Sequence, residues 1–133
     1  VRFIIDKLLQ KRDVSVIILA EKDRLKEIRK NKGLKYKNLY FSYPLENILE
    51  IGPVFEKTDV LITPDTSFIH IACAFDIKIV GIYSNNKGNY KRFKPVTDKF
   101  RVVFSKNDKM NSIENFDPGE VVRISSEFME YNR

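Results

Sequence analysis

The segment Thr63-Pro64-Asp65-Thr66-Ser67, with His70 three residues further on, gathers groups that can hold an anion or a polyol. It follows the apolar run Val60-Leu61-Ile62 and precedes an apolar stretch from Phe68 to Phe75, so it reads as a turn from a strand into a helix. In open parallel sheets, ligands bind at the carboxyl ends of the strands, where a helix N-terminus offers free N–H groups and a favourable dipole. Thr66 and Ser67 add hydroxyl donors, and His70, one turn into the helix, can face the same anion as an imidazole donor. Asp65 is an odd neighbour for a phosphate. Its carboxylate suits sugar hydroxyls, or it simply caps the helix. Structural readings stand beside these: Asp or Thr as a cap, His70 as a satisfied core histidine, Cys73 as packing. The turn has no glycine-rich loop.

The elements that position this turn alternate. Val1 to Arg12 carries Phe3, Ile4, Ile5, Leu8 and Leu9 at helical spacing; Asp13 makes a turn, and Val14 to Leu19 reads as a buried strand. Lys22 to Lys32 reads as a surface helix ended by Gly33, and Asn38 to Phe41 as a short strand. Pro44 stands where a helix can start, with Leu45, Ile48, Leu49, Ile51 and Phe55 following, and Pro53 is expected to kink or split it. Beyond the central turn come a strand at Lys78 to Tyr83, a polar loop from Asn85 to Gly88, a strand at Lys99 to Phe104 and a terminal helix from Pro118 to about Tyr131. Continuous apolar runs in the strands predict an α/β fold, a Rossmann-like parallel sheet with helices on both faces.

At 133 residues the chain has the size of one domain, 1–133, long enough for a core. No apolar run approaches the roughly 20 residues of a membrane span. A single cysteine excludes an internal disulfide, and no Cys/His spacing suggests structural zinc. The net charge is +6, and 16 of the 24 basic residues are lysines, which favours anionic partners or a solvated basic surface.

Asp59 to Phe75, followed by Ile79-Val80-Gly81-Ile82-Tyr83, resembles the signature of glycosyltransferase family 9, the heptosyltransferases of lipopolysaccharide and lipooligosaccharide synthesis. That pattern is an apolar strand, a T-P-D-T-G turn, a helix carrying H-x-A-x-A, and a further strand leading to a loop. The resemblance implies a GT-B fold of two Rossmann-like domains, of which this chain looks like the C-terminal, donor-binding half. By position, Thr66 and Ser67 contact the donor pyrophosphate, Asp65 contacts the sugar or orders the turn, and His70 supports the turn or a phosphate. Tyr43 is placed for base stacking. Glu21, with Asp23 behind it, is placed for the ribose. The donor is a nucleotide sugar, ADP-heptose by family default, with a hexose or hexosamine open; neither cofactor nor metal is implied. The acceptor is a glycolipid, and the location is cytoplasmic, with peripheral contact at the anionic inner face of the inner membrane.

The chain departs from the pattern in two places. Ser67 stands where the family has glycine, so its side chain either crowds a backbone approach to phosphate or donates to it. The segment Ser84 to Tyr90 replaces a glycine- and proline-bearing loop. The chain also reads as starting in the helix after the family's first strand and basic phosphate loop, which leaves the neighbours of that central strand short of a partner. Lys87, Lys91 and Arg92 then remain, with the helix terminus, to meet the departing diphosphate. The catalytic base is expected on the acceptor domain. A second reading is a non-enzymatic basic module for nucleic acid, using Tyr36, Tyr40, Tyr43, Tyr90 and Phe93; the dispersed lysines and the lack of any RNA-binding signature speak against it. A dehydrogenase is disfavoured by the lack of G-x-G-x-x-G. The chain alone is therefore expected to be inactive as a transferase. Incubation with nucleotide sugars and a lipooligosaccharide acceptor checks this, and robust sugar transfer overturns it.

Overall fold

β-Branched apolar runs become parallel strands, and the segments between them become helices. The computed structural model describes residues 1–30, 36–107 and 111–130. The order is α1 (Arg2–Leu9), β1 (Val16–Ile18), α2 (Lys22–Lys30), β2 (Leu39–Phe41), a 3-10 turn (Ile48–Ile51), α3 (Gly52–Phe55), β3 (Val60–Pro64), α4 (Ser67–Ala74), β4 (Lys78–Tyr83), α5 (Lys87–Phe93), β5 (Phe100–Phe104) and α6 (Pro118–Glu130). Contacts divide the chain into two compact units, Val1–Pro53 and Val54–Arg133. Among the described residues no helix is long and apolar enough to cross a membrane.

In the first unit β1 and β2 pair in parallel, with Val16 opposite Leu39 and Ile18 opposite Phe41. Ile4, Ile5 and Leu8 of α1, Leu25 of α2 and Leu39 of β2 are buried, so each element gives one apolar side to a small core. Asp13 adopts a φ of 61°, the left-handed turn that Asp tolerates better than most residues. The Pro44 helix start is corrected. The chain stays irregular to Glu46, and Asn47 caps the 3-10 turn by accepting from the Leu49 amide at 2.7 Å. Pro53 then falls in the first turn of α3, where its missing N–H costs nothing. Gly33 and Tyr131, expected at helix ends, lie outside the described residues.

The second unit holds a three-stranded parallel sheet in the order β3-β4-β5. Its central strand is buried on both faces: Ile79 and Val80 are both fully inaccessible. Helix α6 packs on all three strands, and α4 on β3 and β4. Lys78 and Arg101 both reach over the ring of Phe128 in α6. The opposite face carries Gly81, Tyr83 and Phe100. The α/β parallel architecture expected from sequence is thus present. β1 and β3 each have a single strand neighbour among the described residues.

The polar loop expected from Asn85 to Gly88 is a second correction. The loop is only Ser84 to Asn86, and α5 begins at Lys87, capped by the Asn86 side chain accepting from the Asn89 amide at 3.1 Å. Tyr90 of α5 packs edge-on against Tyr83 (ring centroids 5.2 Å apart) and Phe104 (5.0 Å). Tyr83 meets Phe100 in the same way at 6.0 Å. Gly81 leaves the space for these rings, since a Cβ there would lie 2.7 Å from the Phe100 ring and 2.8 Å from that of Tyr83. Gly81→Ala is expected to destabilise the chain by about 1–3 kcal/mol through overpacking, as read by urea unfolding.

Candidate functional site

The Asp65 turn lies at the carboxyl end of β3. Strand register sets Pro64 opposite Ile82, and the Asp65 amide donates to the Ile82 carbonyl at 3.2 Å, so Asp65 stands abreast of Tyr83, the last residue of β4. Thr66 is the N-cap of α4 in extended conformation, but its side chain makes no cap bond. Its hydroxyl instead lies 3.2 Å from that of Thr63, which also donates to the Pro64 carbonyl at 3.1 Å. The leading amides of α4 are therefore left without a side-chain acceptor, at the positive end of the helix dipole. Asp65, Thr66, Ser67 and His70 are all exposed, whereas Ile69 and Ala72 of the same helix are fully buried. This helix puts its apolar side inward and its chemistry outward. The core reading of His70 does not hold. Cys73 is half-buried, and burial pushes its thiol up from the ordinary value.

The basic candidates sit on α5. The Lys87 ammonium, at the helix start, lies 3.1 Å from the centroid of the Phe104 ring. Lys91 and Arg92 occupy the last turn, both exposed, about 6 Å or more further along the helix axis. The structure thus joins Asp65, Thr66, Ser67 and His70 in one turn and places Lys87 after the neighbouring strand.

Tyr43 and Glu21 belong to the first unit. Both follow the carboxyl ends of its paired strands. The Tyr43 ring is exposed, and its hydroxyl donates to the Glu50 carbonyl. Glu21 is exposed, and its backbone carbonyl accepts from the Leu25 amide at 2.9 Å. Asp23 pairs with Lys26 at 3.3 Å. Of the aromatic residues considered for nucleic acid, Tyr90 is committed to the ring cluster and the Tyr36 hydroxyl donates to Asp6 at 2.5 Å. Among the described residues, no group of three or more His, Cys, Asp or Glu side chains could hold a metal ion.

Two buried hydroxyls meet no acceptor in full hydrogen-bond geometry among the described residues: those of Ser42, at the end of β2, and Tyr83. In the sequence Tyr83 reads only as the end of an apolar strand; the burial of its hydroxyl is a property of the fold. Burial first, then the charge of Asp65 and the hydrogen bond its carboxylate offers, push the hydroxyl well above the ordinary phenol range.

The family model for glycosyltransferase family 9 (heptosyltransferase) matches residues 4–121. The chain belongs to glycosyltransferase family 9. No match was found among curated proteins or solved structures. The match spans both compact units, and glycosyl transfer from nucleotide sugars is the role of this family. Within the family 9 domain, the Asp65 turn occupies the site that open parallel sheets use for ligands.

The raised Tyr83 hydroxyl has a consequence for stability. The unfolded chain loses this proton near pH 10, before the folded chain does. The contribution is therefore intact below about pH 10 and is lost as the pH rises further. Wild type is expected to lose up to about 1.4 kcal/mol more per pH unit above that point than Tyr83→Phe, as read by urea unfolding at stepped alkaline pH.

Proposed function

We propose that this chain is the donor-binding half of a GT-B glycosyltransferase that adds a heptose or related sugar to a bacterial lipopolysaccharide or lipooligosaccharide core. What carries the reading is the Asp65 turn of a family 9 domain: an exposed T-P-D-T-S segment with no side-chain cap on its helix, at the carboxyl end of a parallel strand.

In this reading the α4 amides, with Thr66 and Ser67, hold the donor pyrophosphate, and the helix dipole favours its charge. Asp65 accepts from the sugar hydroxyls, and His70 donates to a phosphate. Tyr43 and Glu21 serve the base and ribose. The acceptor hydroxyl, deprotonated by a base on the acceptor domain, displaces the nucleoside diphosphate directly at the anomeric carbon. The helix amides and Lys87 stabilise the negative charge that develops on the departing diphosphate. Lys91 and Arg92 add positive potential. The enzyme works in the cytoplasm at the inner membrane face, where its +6 charge favours anionic lipid.

Calorimetric titration of the chain with ADP-, UDP-, GDP- and CMP-sugars tests the donor site. Saturable binding of one nucleotide series is expected, weakened by about tenfold or more when Asp65→Ala and His70→Ala are combined, since each removes a hydrogen bond to a charged or hydroxyl group. Binding that survives both substitutions unchanged places the donor elsewhere.

A further inference from the structure

We propose that Tyr83 is a positioning residue, whose buried hydroxyl donates to the Asp65 carboxylate and fixes the direction in which that carboxylate faces the α4 turn. Tyr83 is 2% exposed and its hydroxyl is inaccessible; no acceptor among the described residues meets it in full hydrogen-bond geometry, yet the Asp65 carboxylate acts on it both by charge and as a side-chain hydrogen-bond acceptor. A buried donor left in this state is costly unless an acceptor completes it. The strand register brings one acceptor of full charge abreast of it, Asp65, whose own amide is tied to Ile82. The other ionisable groups acting on the hydroxyl are Tyr90 and Cys73, and neither is a carboxylate.

The two side chains differ in freedom. The Tyr83 ring is wedged edge-on between Tyr90 and Phe100, over the space that Gly81 vacates, so the phenol cannot turn towards another partner. Asp65 is exposed, with no side chain among the described residues packed over it to hold one rotamer other than the Tyr83 phenol. A fixed donor beside a mobile acceptor selects one rotamer of the acceptor. Burial keeps the phenol protonated, and so a donor, across the pH range in which the carboxylate is charged. Asp65 spends one oxygen on the phenol and offers its remaining lone pairs to a ligand's hydroxyl groups. This last step rests on the nucleotide-sugar reading; the pairing itself does not.

The test has two arms, both on the full chain. In the first, tyrosine labelled with 13C at Cζ is titrated by NMR, with Tyr83→Phe assigning the signal. Asp65→Asn is expected to move the Tyr83 titration to lower pH by about one pH unit; a titration that does not move overturns the proposal. In the second, Tyr83→Phe is expected to weaken binding of the nucleotide sugar by about tenfold while leaving the bare nucleoside diphosphate unchanged. Combining it with Asp65→Asn should cost no more than Asp65→Asn alone, because the phenol acts only through that carboxylate; fully additive losses overturn the proposal. If wild type binds no nucleotide sugar, the donor reading fails, and the NMR titration still decides the Tyr83–Asp65 pairing.

Discussion

The bond from the Asp65 amide to the Ile82 carbonyl carries the β3–β4 ladder one residue past the end of β3. That bond fixes where the chain leaves the sheet, and so where α4 begins. A slip of one residue would turn Leu61 and Thr63 to the opposite face of the sheet and move the Asp65 turn out of line with Tyr83. The candidate site is therefore set by backbone pairing first and by side chains second. Because the register is held by apolar residues on both faces of β4, the part that does chemistry needs few interactions of its own.

The face of the sheet that bears Gly81 shows how this constraint spreads. Removing one Cβ lets two rings approach the backbone, and those rings seat Tyr90 and with it helix α5. Phe104, reached by Tyr90 from below, presents its ring to the Lys87 ammonium. A glycine in a strand thus determines, through four rings, where a cation at the start of a helix can stand. The other face is held by α6, whose Val121 and Ile124 are buried and whose Phe128 lies under two basic side chains.

Much of this was legible from residue types alone. Val60-Leu61-Ile62 and Lys78 to Tyr83 announce strands by β-branched continuity, and α4 and α6 follow from their start residues and apolar spacing. Helix α5 was not legible, because Gly88 and Asn89 are poor helix formers and only the docking of Tyr90 makes the turn worth forming. The segment after Pro44 misled for a related reason. Three local bonds, from Tyr43 to the Glu50 carbonyl, from the Glu46 amide to the Glu50 carboxylate and from the Leu49 amide to Asn47, favour an irregular entry over a longer helix. Within the site, Asp65, Thr66, Ser67 and His70 could be named from the sequence, but their exposure could not, and nothing in the string shows that the Tyr83 hydroxyl is buried.

The outer edges of β1 and β3 have a different significance. Among the described residues, the side of β1 away from β2 and the side of β3 away from β4 follow short apolar runs, Val16-Ile17-Ile18 and Val60-Leu61-Ile62, with no charged residue inside the strand to act as gatekeeper. Pro64 blunts only the last position of β3. Such edges are templates that recruit extended segments of other chains and seed aggregates. The opposing force is colloidal: a charge of +6 on every copy keeps copies apart, and salt screens it. As salt rises that repulsion is screened, and these strand edges become the places where copies of the chain can associate.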